Sequence, residues 1–349
     1  MKNIIICFDS ISILPIAKND DYTLDYVSTH VSRLLSVIDL DRENQIAFYT
    51  PYGVVVNIAQ NGEEIDISGV DTSSILGQRM HELQFSFTTF FGFRSESTVL
   101  EGYKFLMNIF NPGDRLFLFG FGRGAFNARM LSGMLIRFGL LLKERKDLIL
   151  HFSKINKIPI FHQKFKETHC IECNPYFIGV WDTPRSVGFV LSKKFFDNML
   201  SSRVAHGYHA ISIDDKRSKF PVALWDESHK HPNQVIEQVW FAGVHSDIGG
   251  WYPERDLSDI TFAWMIDKIA YCGLRLKENW YHNLNQNPAG LMHESRTGMW
   301  RLQKPVVRRI PEGARVHQSV LDRMKIIPDY KPLLPRNYEV VNNPSYTFK

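Results

Sequence analysis

Short runs of Ile, Val, Phe and Trp recur along this chain, separated by longer stretches in which apolar positions return every three or four residues. The runs "NIIICFD", "NQIAFYT", "RLFLFGF", "YFIGVWD" and "QVWFAGVH" are rich in β-branched and aromatic residues and nearly continuous, the pattern of strands buried on both faces. Between them, "LDYVSTHVSRLLSVI" lines up Val27, Val31, Leu34 and Leu35 on one helical face, and "ESTVLEGYKFLMNIF" runs with helical period into the turn "NPGD". Strands alternating with helices predict the α/β class, a mainly parallel sheet with helices on both faces. No repeat, low-complexity tract or linker divides the chain, so residues 1–349 are expected to form a single domain.

Two segments break the alternation. Residues 52–97 are polar and Gly-bearing, then turn aromatic in "LQFSFTTFFGF". There Phe85, Phe87, Phe90, Phe91 and Phe93 suit core packing under a long excursion, a lid over an apolar pocket, or a partner-binding face. Residues 279–349 are rich in Arg, Pro and Asn, carry few strand or helix signals, and are expected to wrap around the sheet.

Composition removes several classes of function. A chain of 349 residues with 44% hydrophobic and 22% charged residues is globular, neither disordered nor collagen-like. The formal charge of +4 is spread over interspersed acids and bases, so no footprint for nucleic acid stands out. The most apolar stretch, "MLSGMLIRFGLLL", carries Arg137 and is too short to span a bilayer, so no transmembrane segment is expected. Asp9 interrupts the apolar start "MKNIIICFDS", which reads as a first buried strand of a soluble, cytoplasmic chain rather than a signal peptide. Of the four cysteines, Cys170 and Cys173 in "HCIEC" have the spacing of a zinc half-site beside His169, but no second ligand pair follows at finger or ribbon spacing. Cys7, Cys170, Cys173 and Cys272 are expected as reduced structural thiols, and no cofactor or metal is expected.

Candidate chemistry concentrates in "RLFLFGFGRGAF", where a strand meets a sharp turn and then a helix. The nucleophile elbow of α/β-hydrolases needs small residues two before and two after the nucleophile, because strand and helix come too close for side chains. Gly120 and Gly124 meet that need, yet the central residue is Gly122, which has no hydroxyl. The alternative is another glycine-rich strand-to-helix turn or a phosphate loop, although the stretch matches neither G-x-x-x-x-G-K-[ST] nor G-x-G-x-x-G. Downstream, Asp182 closes "YFIGVWD" and His245 closes "QVWFAGVH", giving the hydrolase order of acid then histidine with the first member vacant.

These residues, within "PGDRLFLFGFGRGAFNARMLSGML", "FIGVWDTPRSVG", "HAISIDDKRSKFPVALW", "QVWFAGVHSDIGGWYPERDLSDITFAWM" and "VHQSVLDRM", make the chain resemble the α/β-hydrolase domain of type VI secretion phospholipase effectors. The blocks span nearly the whole chain. The resemblance implies an α/β-hydrolase fold, a serine in the position of Gly122 as acyl-accepting nucleophile, Asp182 orienting His245, and His245 as general base. It also implies an oxyanion hole built from the Arg123 N–H and the loop after the first strand. In that loop the family's "FDGT" is replaced by Phe8, Asp9, Ser10 and Ile11, which makes Ser10 the second oxyanion candidate. Two altered positions in one pocket favour natural loss of the enzyme over a laboratory substitution.

The expected function is therefore a phospholipase-like domain that binds a lipid or acyl ligand and a protein partner without covalent catalysis, in a regulatory role that extends by family analogy to bacterial competition or defence. The alternative is an active phospholipase or carboxylic-ester hydrolase, captured with its nucleophile changed to glycine or using water activated by His245. Asp247 is the alternative acid, with a local role in the "DIGG" turn expected first. Ser132, Ser246, Ser10 and Ser186 are poor replacement nucleophiles, Ser246 because a strand would turn it away from the face of His245. His206 and His209 read as polar core or surface residues, and Asp259, behind an expected N-cap at Ser258, as helix-start chemistry.

Overall fold

A computed structural model describes residues 1–9, 28–41, 43–50, 56–57, 66–67, 95–151, 159–185 and 199–346. Parallel pairing joins β2 (Gln45–Thr50) to β1 (Asn3–Phe8) and β1 to β5 (Arg115–Phe121). It continues through β8 (Pro175–Trp181), β9 (His206–Ser212), β10 (Val235–Phe241), β11 (Ala314–His317) and β12 (Tyr338–Val341). Beyond β2 the short strands β3 (Val56–Asn57) and β4 (Asp66–Ile67) pair antiparallel, and β6 (Leu140–Leu141) and β7 (Cys170–Ile171) form a separate ribbon. The result is the expected α/β architecture around a mainly parallel sheet.

Strand side chains alternate between faces, which explains the nearly continuous apolar runs. From β1, Ile4, Ile6 and Phe8 enter one buried cluster and Ile5 and Cys7 the other; from β5, Leu116 and Leu118 part from Phe117, Phe119 and Phe121 in the same way. The first cluster is covered by α2 (Ser95–Ile109) and α3 (Arg123–Phe138), and the second by α1 (His30–Val37) and α6 (Asp256–Tyr271). Each of these fully buried Ile, Leu or Phe side chains contributes roughly 1.5–3 kcal/mol relative to exposure. The strand order reverses at β1, with β2 on one side and every later parallel strand on the other, so helices leave to opposite faces there. Parallel sheets place their ligand crevice at the carboxyl edge beside such a reversal.

Three expectations are corrected. Strand β9 was not among the predicted runs, because His206, Gly207, Tyr208 and His209 dilute its apolar signal although most of it is buried. Residues 279–349 do more than wrap: they supply β11, α7 (Gln318–Ile326) and β12, which extend the sheet by two parallel strands. His245 does not end β10 but opens the short helix α5 (His245–Gly249). In α1 the cap is Thr29, whose side chain accepts from the Ser32 N–H, and Val31 and Leu34 are buried as expected. Val27, the Phe85–Phe93 stretch, Ser10 and Ser186 lie outside the described residues.

The turn between β5 and α3 is held by two close approaches. A Cβ on Gly120 would sit 2.3 Å from the Gly124 carbonyl oxygen, and one on Gly124 would sit 1.9 Å from the Phe8 carbonyl oxygen. Both obstacles are backbone, so neither can swing aside. Gly124→Ala is expected to cost about 3 kcal/mol or more through overpacking between β1 and α3, read as a lower urea midpoint, while Gly113→Ala in the open turn before β5 costs less.

Candidate active site

At the carboxyl edge, β5 ends at Phe121 and α3 begins at Arg123, leaving Gly122 to turn the chain alone with φ 54° and ψ −117°. A residue with a side chain adopts this conformation only under strain, whereas glycine has no Cβ to clash. The Gly122 N–H donates to the Trp181 carbonyl at 3.0 Å, which ties the turn to the end of the neighbouring strand β8. Arg123 is the first residue of α3, so its N–H lies at the positive end of the helix dipole.

Asp182 follows Trp181 directly and has φ 42°, uncommon for a residue other than glycine. Its N–H donates to the Ala210 carbonyl at 2.8 Å, and its side chain is buried. The carboxylate accepts from His245 Nδ1 at 2.6 Å, from the Ser212 N–H at 3.1 Å, and from both terminal nitrogens of Arg308 at 2.5 and 3.0 Å. Burial alone would raise its pKa. The charge of Arg308 and the hydrogen bond from His245 outweigh that and hold it far below the usual carboxylate range. Asp182 is therefore an anion at any physiological pH.

His245 stands two strands away, brought back by the loop from β10 into α5. Its ring lies against Phe121 with centroids 4.5 Å apart and meets Phe220 edge-on at 5.5 Å. Burial lowers its pKa below the ordinary histidine value, despite the hydrogen bond and charge of Asp182. The imidazole is thus held neutral, with Nδ1 on Asp182, the state a general base needs. Asp182 and His245, both candidates from the sequence, meet in space; Arg308, whose side chain also donates to the carbonyls of Ser212 and Phe220, was not among the candidates.

A second charged pair borders the histidine. Asp215 accepts from the Arg217 backbone N–H at 3.0 Å and from its guanidinium at 2.7–3.1 Å, and it receives the His245 N–H at 3.3 Å. The guanidinium of Arg217 lies over the Phe220 ring at 4.0 Å. On the far side, Asp9 at the end of β1 accepts from the hydroxyls of Thr29 and, at 2.8 Å, Tyr49. Burial and the Asp9 charge push the Tyr49 phenol well above its ordinary pKa. The Phe8–Asp9 backbone is also what Gly124 approaches, so the end of β1 lies beside the elbow.

Other candidates fall elsewhere. Asp247 does not reach His245: it accepts from the Val244 N–H at 2.9 Å and from His293 Nδ1 at 2.6 Å, so its partner is another histidine rather than the "DIGG" turn. Ser132 is buried within α3, and Ser246 is the second residue of α5 rather than a strand residue. His206 stands at the start of β9 between Tyr176 and Tyr208. His209 is fully buried under the site and accepts the Thr183 N–H at 3.1 Å, which steadies the turn that carries Asp182. Ser258 lies inside α6, whose cap is Arg255, and Asp259 in its first turn pairs with Arg33 at 2.7 Å. Burial raises the Cys170 thiol to about 11, and His169 Nδ1 bonds Arg145. No metal-binding group of His, Cys, Asp and Glu occurs among the described residues, and no helix there is long and apolar enough to cross a membrane.

The strand-to-helix turn at Gly122 and the Asp182–His245 pair thus lie together at the carboxyl edge of the sheet. A family model described as the catalytic domain of Tle1-like phospholipase effectors of type VI secretion matches residues 2–268. The chain belongs to this family. It is 30% identical over 237 residues to an uncharacterized protein of Saccharomyces cerevisiae, the match covering 63% of this chain and 32% of that one, so similar chains are not confined to bacteria. Among solved structures it is similar to an uncharacterized protein from Pseudomonas aeruginosa (17% identity, TM-score 0.45, 80% of this chain and 47% of that one). It is also similar to the Tle1 effector solved bound to the VgrG spike of the type VI secretion system (14% identity, TM-score 0.34, 72% and 51%). The chain spans about a third of its yeast relative and about half of each solved chain.

Two outcomes follow from this geometry. Arg308→Met removes two donors from a buried carboxylate; stability is expected to fall by about 3–5 kcal/mol, and the imidazole pKa of His245, followed by NMR titration, to rise as Asp182 acts on it undiluted. The buried neutral histidines also set an acid limit. His209 is lowered to about 3 and His317 to about 4, both chiefly by burial, and His245 and His30 are lowered as well. The unfolded chain takes up these protons first, so stability falls as pH drops below the unfolded value of about 6.5. The depressed Asp182 adds a further loss below about 4, its unfolded value. Unfolding free energies from urea melts at about pH 7 and pH 5 should differ by on the order of 1–2 kcal/mol for each of His209 and His317, and His209→Gln should flatten the profile.

Proposed function

We propose that this chain is a phospholipase-like hydrolase domain that binds an acyl or phospholipid ligand but forms no acyl-enzyme, because the position of the nucleophile is Gly122. The observation that carries the reading is the Asp182–His245 pair at 2.6 Å, preserved beside an elbow that offers no hydroxyl. Membership of the phospholipase effector family supports the substrate class. In a complete site the histidine would take the serine proton, the alkoxide would attack the ester carbonyl, and N–H groups at the start of α3 would face the oxyanion. Here the base, its orienting acid and the helix start remain, while the attacking atom does not. A ligand can therefore be held against His245 without being cleaved covalently, which suits a sensor or regulatory subunit that answers to a protein partner.

The test restores the hydroxyl. Gly122→Ser is expected to gain hydrolysis of a soluble p-nitrophenyl ester and of phospholipid by at least about a hundredfold over the unmodified chain, with the gain abolished by a second change, His245→Ala. It should also lose about 1–3 kcal/mol of stability, since serine must adopt a backbone conformation that glycine takes without strain. A folded Gly122→Ser chain with no turnover would count against a hydrolase-type pocket. Turnover by the unmodified chain that disappears in His245→Ala would replace the binding reading with general-base hydrolysis, for which the neutral imidazole is suited.

A further inference from the structure

Arg308, on Asp182, and Trp300, on Phe220, mark the ends of a strap that runs beside the site. Trp300 meets Phe220 edge-on at 5.4 Å, and Phe220 in turn meets His245. Between them the chain is pinned: the Ser218 hydroxyl donates to the Gln303 side chain at 2.8 Å, and the Val306 N–H donates to the Lys216 carbonyl at 2.9 Å. Arg296 donates to the carbonyls of Arg301 and Gln303, and Pro305 forms a bridge with Arg217.

What this strap presents outward is unusual for a fixed surface segment. Leu302 is 88% exposed, Val306 50% and Val307 53%, so three large apolar side chains are held in water within six residues. Arg301, Lys304 and Arg309 are exposed among them, and Lys216 is exposed on the adjoining segment. Between Glu294 and Glu312 the sequence carries five cations and no acid, and of the five Arg308 is turned inward onto Asp182. Apolar side chains set among exposed cations match the two layers of an anionic bilayer surface, acyl chains below phosphates.

We propose that the 300–309 strap is a membrane-docking surface that seats the mouth of the site on anionic phospholipid, with Leu302, Val306 and Val307 entering the acyl boundary and Arg301, Lys304 and Arg309 meeting phosphates. The choice of a lipid surface rests on the phospholipase-like reading; the patch itself does not. Docking places the pocket over its ligand and spares a long-chain lipid the passage through water.

The experiment is flotation of the full chain with vesicles of phosphatidylcholine alone and of phosphatidylcholine with phosphatidylglycerol. Binding is expected to the anionic vesicles and to weaken with added salt. Replacing Arg301, Lys304 and Arg309 together by Gln should weaken it on the order of a hundredfold, at roughly fivefold per cation. The triple change Leu302→Ser, Val306→Ser and Val307→Ser should weaken it about tenfold or more, and Leu302→Trp, opposite in sign, should strengthen it. Absence of binding to anionic vesicles, or binding unmoved by both triple variants, overturns the proposal. Loss with the Gln variant while the Ser and Trp variants do nothing would overturn it too, assigning the strap to a soluble polyanion. Flotation requires no turnover, whereas the soluble-ester assay of Gly122→Ser requires no membrane, so either reading can fail while the other stands.

Discussion

A carboxylate without water must find its charge balanced by the protein, and the burial of Asp182 organises the carboxyl edge of this sheet around that need. Its two oxygens gather a strand end through the Ser212 N–H, a helix start through His245 and the C-terminal segment through Arg308. Arg308 carries the constraint outward, since its remaining donors fix the carbonyls of Ser212 and Phe220. Phe220 then supports both the imidazole and Trp300. One buried anion thus orders His245, Phe220 and the segment from Trp300 to Arg308.

Burial sets the electrostatic state of the histidine. An Asp–His pair alone would favour the charged imidazolium. Desolvation of the ring outweighs that here, with the charge of Arg217 acting in the same direction, and His245 stays neutral. A neutral ring is ready to accept a proton, yet Gly122 presents none to give. At the turn itself, glycine occupies φ 54° and ψ −117° without a side chain to clash.

Much of the architecture was legible in the chain. Runs with both faces buried named β1, β2, β5, β8 and β10, and the spacing of Gly120 and Gly124 identified the turn, because close backbone approach, within the turn and to Phe8 on β1, is met only by the absence of Cβ atoms. Strand β9 escaped because its histidines and tyrosine look polar until aromatic neighbours and the Thr183 N–H satisfy them. The "DIGG" acid was misread for a similar reason: its partner, His293, lies 46 residues further on.

The sequence by itself determined the alternation of strand and helix, the sharp turn at Gly122, and the order of Asp182 and His245 along the chain. The first two are written in short-range patterns of apolar and glycine positions, which spacing records. Only the tertiary structure decided that Arg308 rather than its neighbour Arg309 turns inward, that Asp247 serves a different histidine, and that residues 279–349 extend the sheet. Those choices depend on which buried charges lie unpaired once distant strands have closed together, and no local pattern encodes that.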